Sequence, residues 1–267
     1  MAESKNKKHI NVTRDGAVAT VTIDRGDERN ALSIALIREL TEIAQSFADD
    51  LQTQAIILTS QGAFTAGVDL KDPAFEQMRG VGLLERRRFL RLGPDLCDAW
   101  QNVEQTTICA IENYCIGGGV ALAVACDFRI LGQSAVMRLP EIPLGMNMSW
   151  HAVPRLASLI GPARTKRFVI FGEKISAQES LAWGLADEVT PVGGAAAAAR
   201  RWAEKIGKLP PNAVRMTKHS VNAAANALHQ TASFMDLDQY ALATTSEDFR
   251  EGIAAFYEKR SPKFSGR

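Results

Sequence analysis

The first pattern of polar and apolar positions is an alternation over residues 10–23, "INVTRDGAVATVTI", interrupted at Asp15-Gly16, and it predicts a β-hairpin. Behind Ser33, a residue suited to cap a helix start, Leu36, Ile37, Leu40, Ala44 and Phe47 fall on one helical face. Three short runs then show almost no alternation: "AIILTS" (55–60), "ICAI" (108–111) and "FRIL" (128–131). Strands this apolar are covered on both faces, and helices between them imply parallel pairing through right-handed crossovers. The loops after such strands emerge along one edge of the sheet, the edge that ligand sites favour.

Further along, "LLERRRFLRLGPDL" predicts a basic, solvated helix face broken at Pro94, and Ser176 with Glu179 predicts a capping box. From about Gly193 the pattern is helical to the end, through "AAAAARRWAEKI" and "AVRMTKHSVNAAANAL". This divides the chain into an α/β core over 1–192 and a helical appendage over 193–267, with a soft boundary at "PVGG". No internal repeat or low-complexity linker is visible.

At 267 residues and 46% hydrophobic composition the chain can bury a substantial core. Thirty-one basic against 30 acidic residues give no overall basic field, so no nucleic-acid partner is expected and an anionic ligand must be met locally. Cys97, Cys109, Cys115 and Cys126 lack CxxC spacing in apolar surroundings, which reads as reduced packing thiols and no metal site. The start, "MAESKNKKHI", resembles a polar arm, and no run reaches the roughly 20 apolar residues of a membrane span, so a cytoplasmic protein is expected.

Candidate chemistry begins at "CIGGGVALAVACD" (115–127), three glycines opening into small apolar residues. Three readings stand: a tight strand-to-helix turn, a phosphate loop, or helix-start amides bared toward a developing negative charge. The phosphate loop lacks GxGxxG or a GK[ST] ending. The third reading needs a second donor, and "GAFTAGVDLK" (62–71) supplies another glycine-flanked turn after a buried strand.

In order along the chain stand "AFTAGVDLK", "ENYCIGGG", "ACDFRIL", "LPEIPLG" and "FREGIAAFYEKR". This succession resembles the enoyl-CoA hydratase/isomerase (crotonase) family from the first hairpin to the last helix. The resemblance implies an α/β fold with a crotonase-like core of repeated ββα turns, a homotrimer or dimer of trimers, and an acyl-CoA thioester as substrate. No cofactor is implied, coenzyme A being part of the substrate. By resemblance the Val68 and Gly118 amides form an oxyanion hole, and Glu141 of "LPEIPLG" is the acid/base. Burial in a partly apolar pocket should raise its pKa toward neutrality.

The chain departs from the hydratases it resembles at Ala121, where they carry a second glutamate that holds water. Isomerases of the family that move a double bond from C3 to C2 have one glutamate and an apolar residue there. In "GMNMSWHAVPRL" (145–156), Met146, Met148 and Trp150 either wall the pocket or pack the core. His151 is either a second acid/base or a histidine satisfied at a helix start. By resemblance, coenzyme A lies near Arg29, the Ala66 carbonyl, Asp69, Leu70 and Gly117, with Tyr240 and Lys259 completing the site. The expected activity is Δ3,Δ2-enoyl-CoA isomerisation. The alternatives are hydration through Glu141 and a non-standard second group, or a non-catalytic CoA-binding or RNA-associated protein of the same fold.

Overall fold

A computed structural model describes residues 9–78 and 80–267. The predicted hairpin is present: β1 (Ile10–Asp15) and β2 (Val18–Ile23) pair antiparallel, with Asp15 opposite Val18 across a turn whose Gly16 has φ +57°. The helix α1 (Ile34–Ser46) starts at Ser33, whose hydroxyl accepts from the Leu36 amide at 3.2 Å. All five apolar positions read from its spacing are buried.

Next come β3 (Ala55–Ser60), α2 (Pro73–Gln77), α3 (Leu83–Leu90), α4 (Leu92–Gln101), β4 (Thr106–Ile111), β5 (Tyr114–Ile116) and α5 (Gly118–Ala125). They are followed by β6 (Phe128–Gly132), β7 (Val136–Arg138), a 3-10 turn (Ile142–Leu144), α6 (Ala152–Phe171), β8 (Lys174–Ser176), α7 (Ala177–Trp183) and β9 (Glu188–Thr190). Five helices close the chain: α8 (Ala195–Ile206), α9 (Pro211–Ala225), α10 (His229–Ser233), α11 (Asp236–Ala243) and α12 (Glu247–Glu258). The capping box at Ser176 and Glu179 is formed.

Six strands make the main sheet in the order β1-β2-β3-β4-β6-β9, all parallel after the first hairpin. A second sheet, β5-β7-β8, stands beside it and was not apparent from periodicity, because three-residue strands are too short to show any. One face of the main sheet meets α1, α4 and α5 in the larger core, around Leu36, Leu40, Phe64, Trp100 and Leu122. The other face is covered by α8, whose Ala195, Ala198, Ala199 and Ala203 lie on Val18, Ile57, Ile108 and Ile130. The first helix past residue 193 therefore rests on the sheet itself, its alanines allowing close approach.

The basic stretch breaks at Arg91, between α3 and α4, and not at Pro94. Pro94 sits in the first turn of α4, where its missing amide has no helical partner to lose. As read, α3 buries no residue; Arg86 donates to the Thr244 hydroxyl at 2.6 Å, and Arg87 pairs with Asp238 of α11. Among the described residues no helix is long and apolar enough to cross a membrane, and no cluster of potential ligands could hold a metal.

Candidate active site

Three chain segments run side by side in register and end together. Thr65 bridges Cys115 in parallel, and β5 pairs with β7 in parallel with Ile116 opposite Arg138. Two to three residues beyond these partners the chain reaches Val68, Gly118 and Glu141. The turns holding the first two touch backbone to backbone, since a Cβ on Gly67 would stand 2.8 Å from the Ile116 carbonyl oxygen. Thr65 pins both turns: its hydroxyl accepts from the Gly67 amide at 3.1 Å, and its methyl abuts Gly119. The Gly117 amide donates to the Arg138 carbonyl at 2.8 Å, tying the glycine turn to the strand that leads to Glu141.

Glycine is required at two of these positions. Gly67 and Gly117 have φ of +85° and +54°, and the space above each is already filled, by Ile116 and by Glu141 Oε1. A Cβ on Gly117 would lie 2.8 Å from that carboxylate oxygen, so the Glu141 head sits directly over the glycine turn. Among the described residues neither the Val68 nor the Gly118 amide donates a hydrogen bond, as expected of a helix N-terminus for Gly118. The neighbouring amides of Ala66 and Asp69 are used, donating to the Arg29 and Leu32 carbonyls.

Glu141 is half-buried as a residue, but its Oε2 is sealed from solvent and has no hydrogen-bond partner among the described residues. Burial pushes the carboxyl up to about 7, against a weaker downward pull from Arg138. Ala121 of α5 is fully buried in the core. The turn bearing Glu141 is braced from the C-terminal end, where Gly252 of α12 packs against Leu144 and Gly145 against the Asp248 carbonyl.

Beside the two turns lies a narrow cavity of about 40 Å³, lined by Val68, Phe75, Phe89, Trp150, Leu237 and Tyr240 among others. Burial, reinforced by the charge of Glu141, pushes the Tyr240 phenol up to about 12. Tyr240 thus stands in the apolar cavity. Of the three bulky residues in "GMNMSWHAVPRL", only Trp150 lines it; Met146 and Met148 are buried outside the lining. The ring of Trp150 lies against Gly118, where a Cβ would meet it at 2.7 Å, and against Gly93 of α4.

Trp150 and His151 both adopt left-handed backbone, with φ of +60° and +55°. Each such non-glycine residue costs on the order of 1–3 kcal/mol, so surrounding contacts must hold the pair. The buried Arg155 donates to both their carbonyls, at 3.1 and 3.2 Å, and to Asp98 at 2.8 Å. Nδ1 of His151 is 3.0 Å from Asp98, and the His151 amide donates to Asp236 of α11 at 3.2 Å. Burial would raise Asp98, but His151 and Arg155 outweigh it and hold the carboxyl low; for the buried Asp236 desolvation wins and the pKa rises. His151 is therefore a histidine satisfied at the start of α6 and is absent from the cavity lining.

The structure thus brings together Val68, Gly117, Gly118, Glu141, Trp150 and Tyr240. Asp69 pairs with Arg25 at 2.9 Å, fixing the turn after Val68, and both Leu70 and Arg29 are exposed. Lys259 is exposed at the C-cap of α12, and no hydrogen bond of the described residues joins it to the cluster. Asp98, Arg155 and Asp236 were not legible in the sequence: they come from three helices, with no local spacing to link them.

A family model described as enoyl-CoA hydratase/isomerase matches residues 13–267. Similar proteins include a short-chain-enoyl-CoA hydratase of Clostridium acetobutylicum, 29% identical over 94% of this chain and 95% of the relative. A 2,3-dehydroadipyl-CoA hydratase of Escherichia coli is 30% identical over 96% of this chain and 98% of its own. The solved carnitinyl-CoA hydratase of Mycobacterium avium superposes with a TM-score of 0.84 at 30% identity, over 97% of this chain and 99% of that one. An enoyl-CoA hydratase/isomerase structure from Pseudoalteromonas atlantica gives 0.84 at 28% identity, covering 97% and 100%. With the parallel sheet, the paired glycine turns and the facing glutamate, these matches show that the chain is an enzyme of the enoyl-CoA hydratase/isomerase (crotonase) family.

Proposed function

We propose that this enzyme is a Δ3,Δ2-enoyl-CoA isomerase in which one carboxylate moves the proton. The Val68 and Gly118 amides hold the thioester oxygen as it takes up charge, which makes the C2 proton acidic enough for Glu141 to remove. The pair that held that proton then shifts along the chain, and Glu141 returns the proton at C4. The observation that carries this reading is the buried Glu141 carboxylate over the glycine turn; by resemblance, Ala121 stands where hydratases of the family carry their second, water-holding glutamate. A narrow cavity lined largely by apolar and aromatic side chains favours a shuttle over hydration, because water would compete for the intermediate. Coenzyme A enters as part of the substrate, and no further cofactor is called for.

The names of the relatives favour a second reading, hydration, with Glu141 and another group orienting water. Incubation with 3-enoyl-CoA and, separately, 2-enoyl-CoA in heavy water divides the two. Isomerisation is expected to interconvert the substrates with deuterium in the product and no hydroxyacyl-CoA. Hydroxyacyl-CoA from the 2-enoyl substrate would replace that reading with hydration, and tight CoA binding without turnover would replace both with a binding protein.

A homotrimer, or a dimer of trimers, fits the apolar side chains that α10, α11 and their neighbours leave exposed, among them Leu228, Phe234 and Leu242, each more than 70% accessible. Light scattering of the purified chain is expected to report a multiple of three times the 29.0 kDa protomer; a monomeric mass would refute the assembly.

A further inference from the structure

The cavity beside the turns is small, about 40 Å³, and mostly apolar in its lining. One wall is an indole pressed between two glycines, Gly93 and Gly118, neither of which could carry a methyl group without displacing the ring. The backbone that presents this indole is left-handed at two consecutive non-glycine residues. Left to local preference, that pair would relax and swing the ring away.

Three charged side chains from separate helices prevent it. Arg155, 4% accessible, ties the Trp150 and His151 carbonyls to Asp98 of α4, the helix that also supplies Gly93. Asp236, 7% accessible, accepts the His151 amide from the first residue of α11. The helix that carries Asp236 also contributes Leu237 and Tyr240 to the same cavity. The ring is thus gripped from both sides of the cavity, by the core helix α4 and by the C-terminal helix α11.

We propose that Trp150 is the specificity-determining wall of the acyl cavity, restricting the enzyme to short-chain acyl-CoA thioesters, and that Asp98, Arg155 and Asp236 are positioning residues that hold the indole in place. The inference rests on the acyl-CoA reading given above. It assigns the clamp no contact with the reacting atoms: the clamp acts through the ring. A side chain that merely packs would leave chain-length preference unchanged when altered; this wall sets it.

The test is calorimetric binding of butanoyl-CoA and decanoyl-CoA, saturated thioesters that cannot react, to the full chain, with free coenzyme A as control. Wild type is expected to prefer the butanoyl thioester. Trp150→Ala is expected to shift the affinity ratio toward decanoyl-CoA about tenfold or more, the range one hydrophobic wall can discriminate. Trp150→Phe, which preserves an aromatic core contact and guards against a folding failure, is expected to fall between. Asp236→Ala is expected to shift the ratio in the same direction, and Asp236→Asn to restore it, because the His151 amide needs only an acceptor oxygen.

An unchanged ratio in both Trp150 variants, with wild type binding normally, would overturn the wall alone. Wild-type preference for decanoyl-CoA would do the same. A shifted ratio for Trp150→Ala with none for Asp236→Ala would overturn the clamp. Failure of wild type to bind either thioester would overturn the acyl-CoA reading and this inference with it.

Discussion

Glu141→Gln is expected to lower kcat about 10²–10⁴-fold, the usual contribution of a positioned acid/base, while the protein stays folded. The amide preserves the shape of the head over Gly117 but cannot accept a proton. Its pH behaviour adds a second, independent signature. Because burial pushes the carboxyl up to about 7, the carboxylate needed to start the reaction is populated only as pH rises through that value. Wild-type kcat/KM should therefore climb to a plateau above about pH 7, and a limb near the ordinary glutamate range would contradict the site. Stability moves the opposite way. A carboxyl with a raised folded pKa favours the fold below the ordinary glutamate range near 4.5, and that advantage is lost as pH climbs through about 7. Denaturant titrations should show wild type losing stability relative to Glu141→Gln between pH 5 and 8, on the order of 3 kcal/mol. Parallel curves would mean the carboxylate is not held dry.

The second large effect is expected at Gly118. Gly118→Val should cut turnover about 10²-fold or more, comparable to losing one oxyanion donor, with circular dichroism unchanged. Two causes act together there. The new side chain crowds the place a thioester oxygen must reach, and its Cβ starts 2.7 Å from the Trp150 ring. A double-mutant cycle with Trp150→Ala separates them. Relief of the ring clash should recover part of the rate but not all of it, since the obstructed amide remains. Full recovery would mean that the glycine serves only to seat the indole, and unimpaired turnover in Gly118→Val would remove the oxyanion hole from the mechanism.

Local chemistry was readable from residues wherever it is settled by near neighbours. The hairpin about Asp15-Gly16, the Ser33 cap, the Ser176 and Glu179 capping box and the two glycine turns each follow from spacing within a few positions. Period alone says what an element is, not what it lies against. The alanine-rich α8 read as part of a helical appendage, yet it covers one face of the sheet. Likewise Met146 and Met148 could not be told from Trp150 by hydrophobicity, and only the left-handed turn at Trp150 and His151 sends that one side chain into the cavity. The clamp was beyond reach for the same reason: Asp98, Arg155 and Asp236 are separated by 57 and 81 positions, and nothing in each one's own neighbourhood marks it. Tyr240, expected by resemblance among the coenzyme A contacts, is brought by α11 into the lining of the cavity beside Val68 and Trp150.

The contact of Gly67 with the Ile116 carbonyl has a bearing on how such a catalyst can diversify. Main chain pressed on main chain sets a gap whose width no side-chain exchange can readily retune. The spacing of the two turns is thereby insulated from its surroundings, and drift in the residues that shape and fill the cavity can proceed without unsettling it. Selection for a new substrate then has walls to rebuild and a backbone frame to inherit.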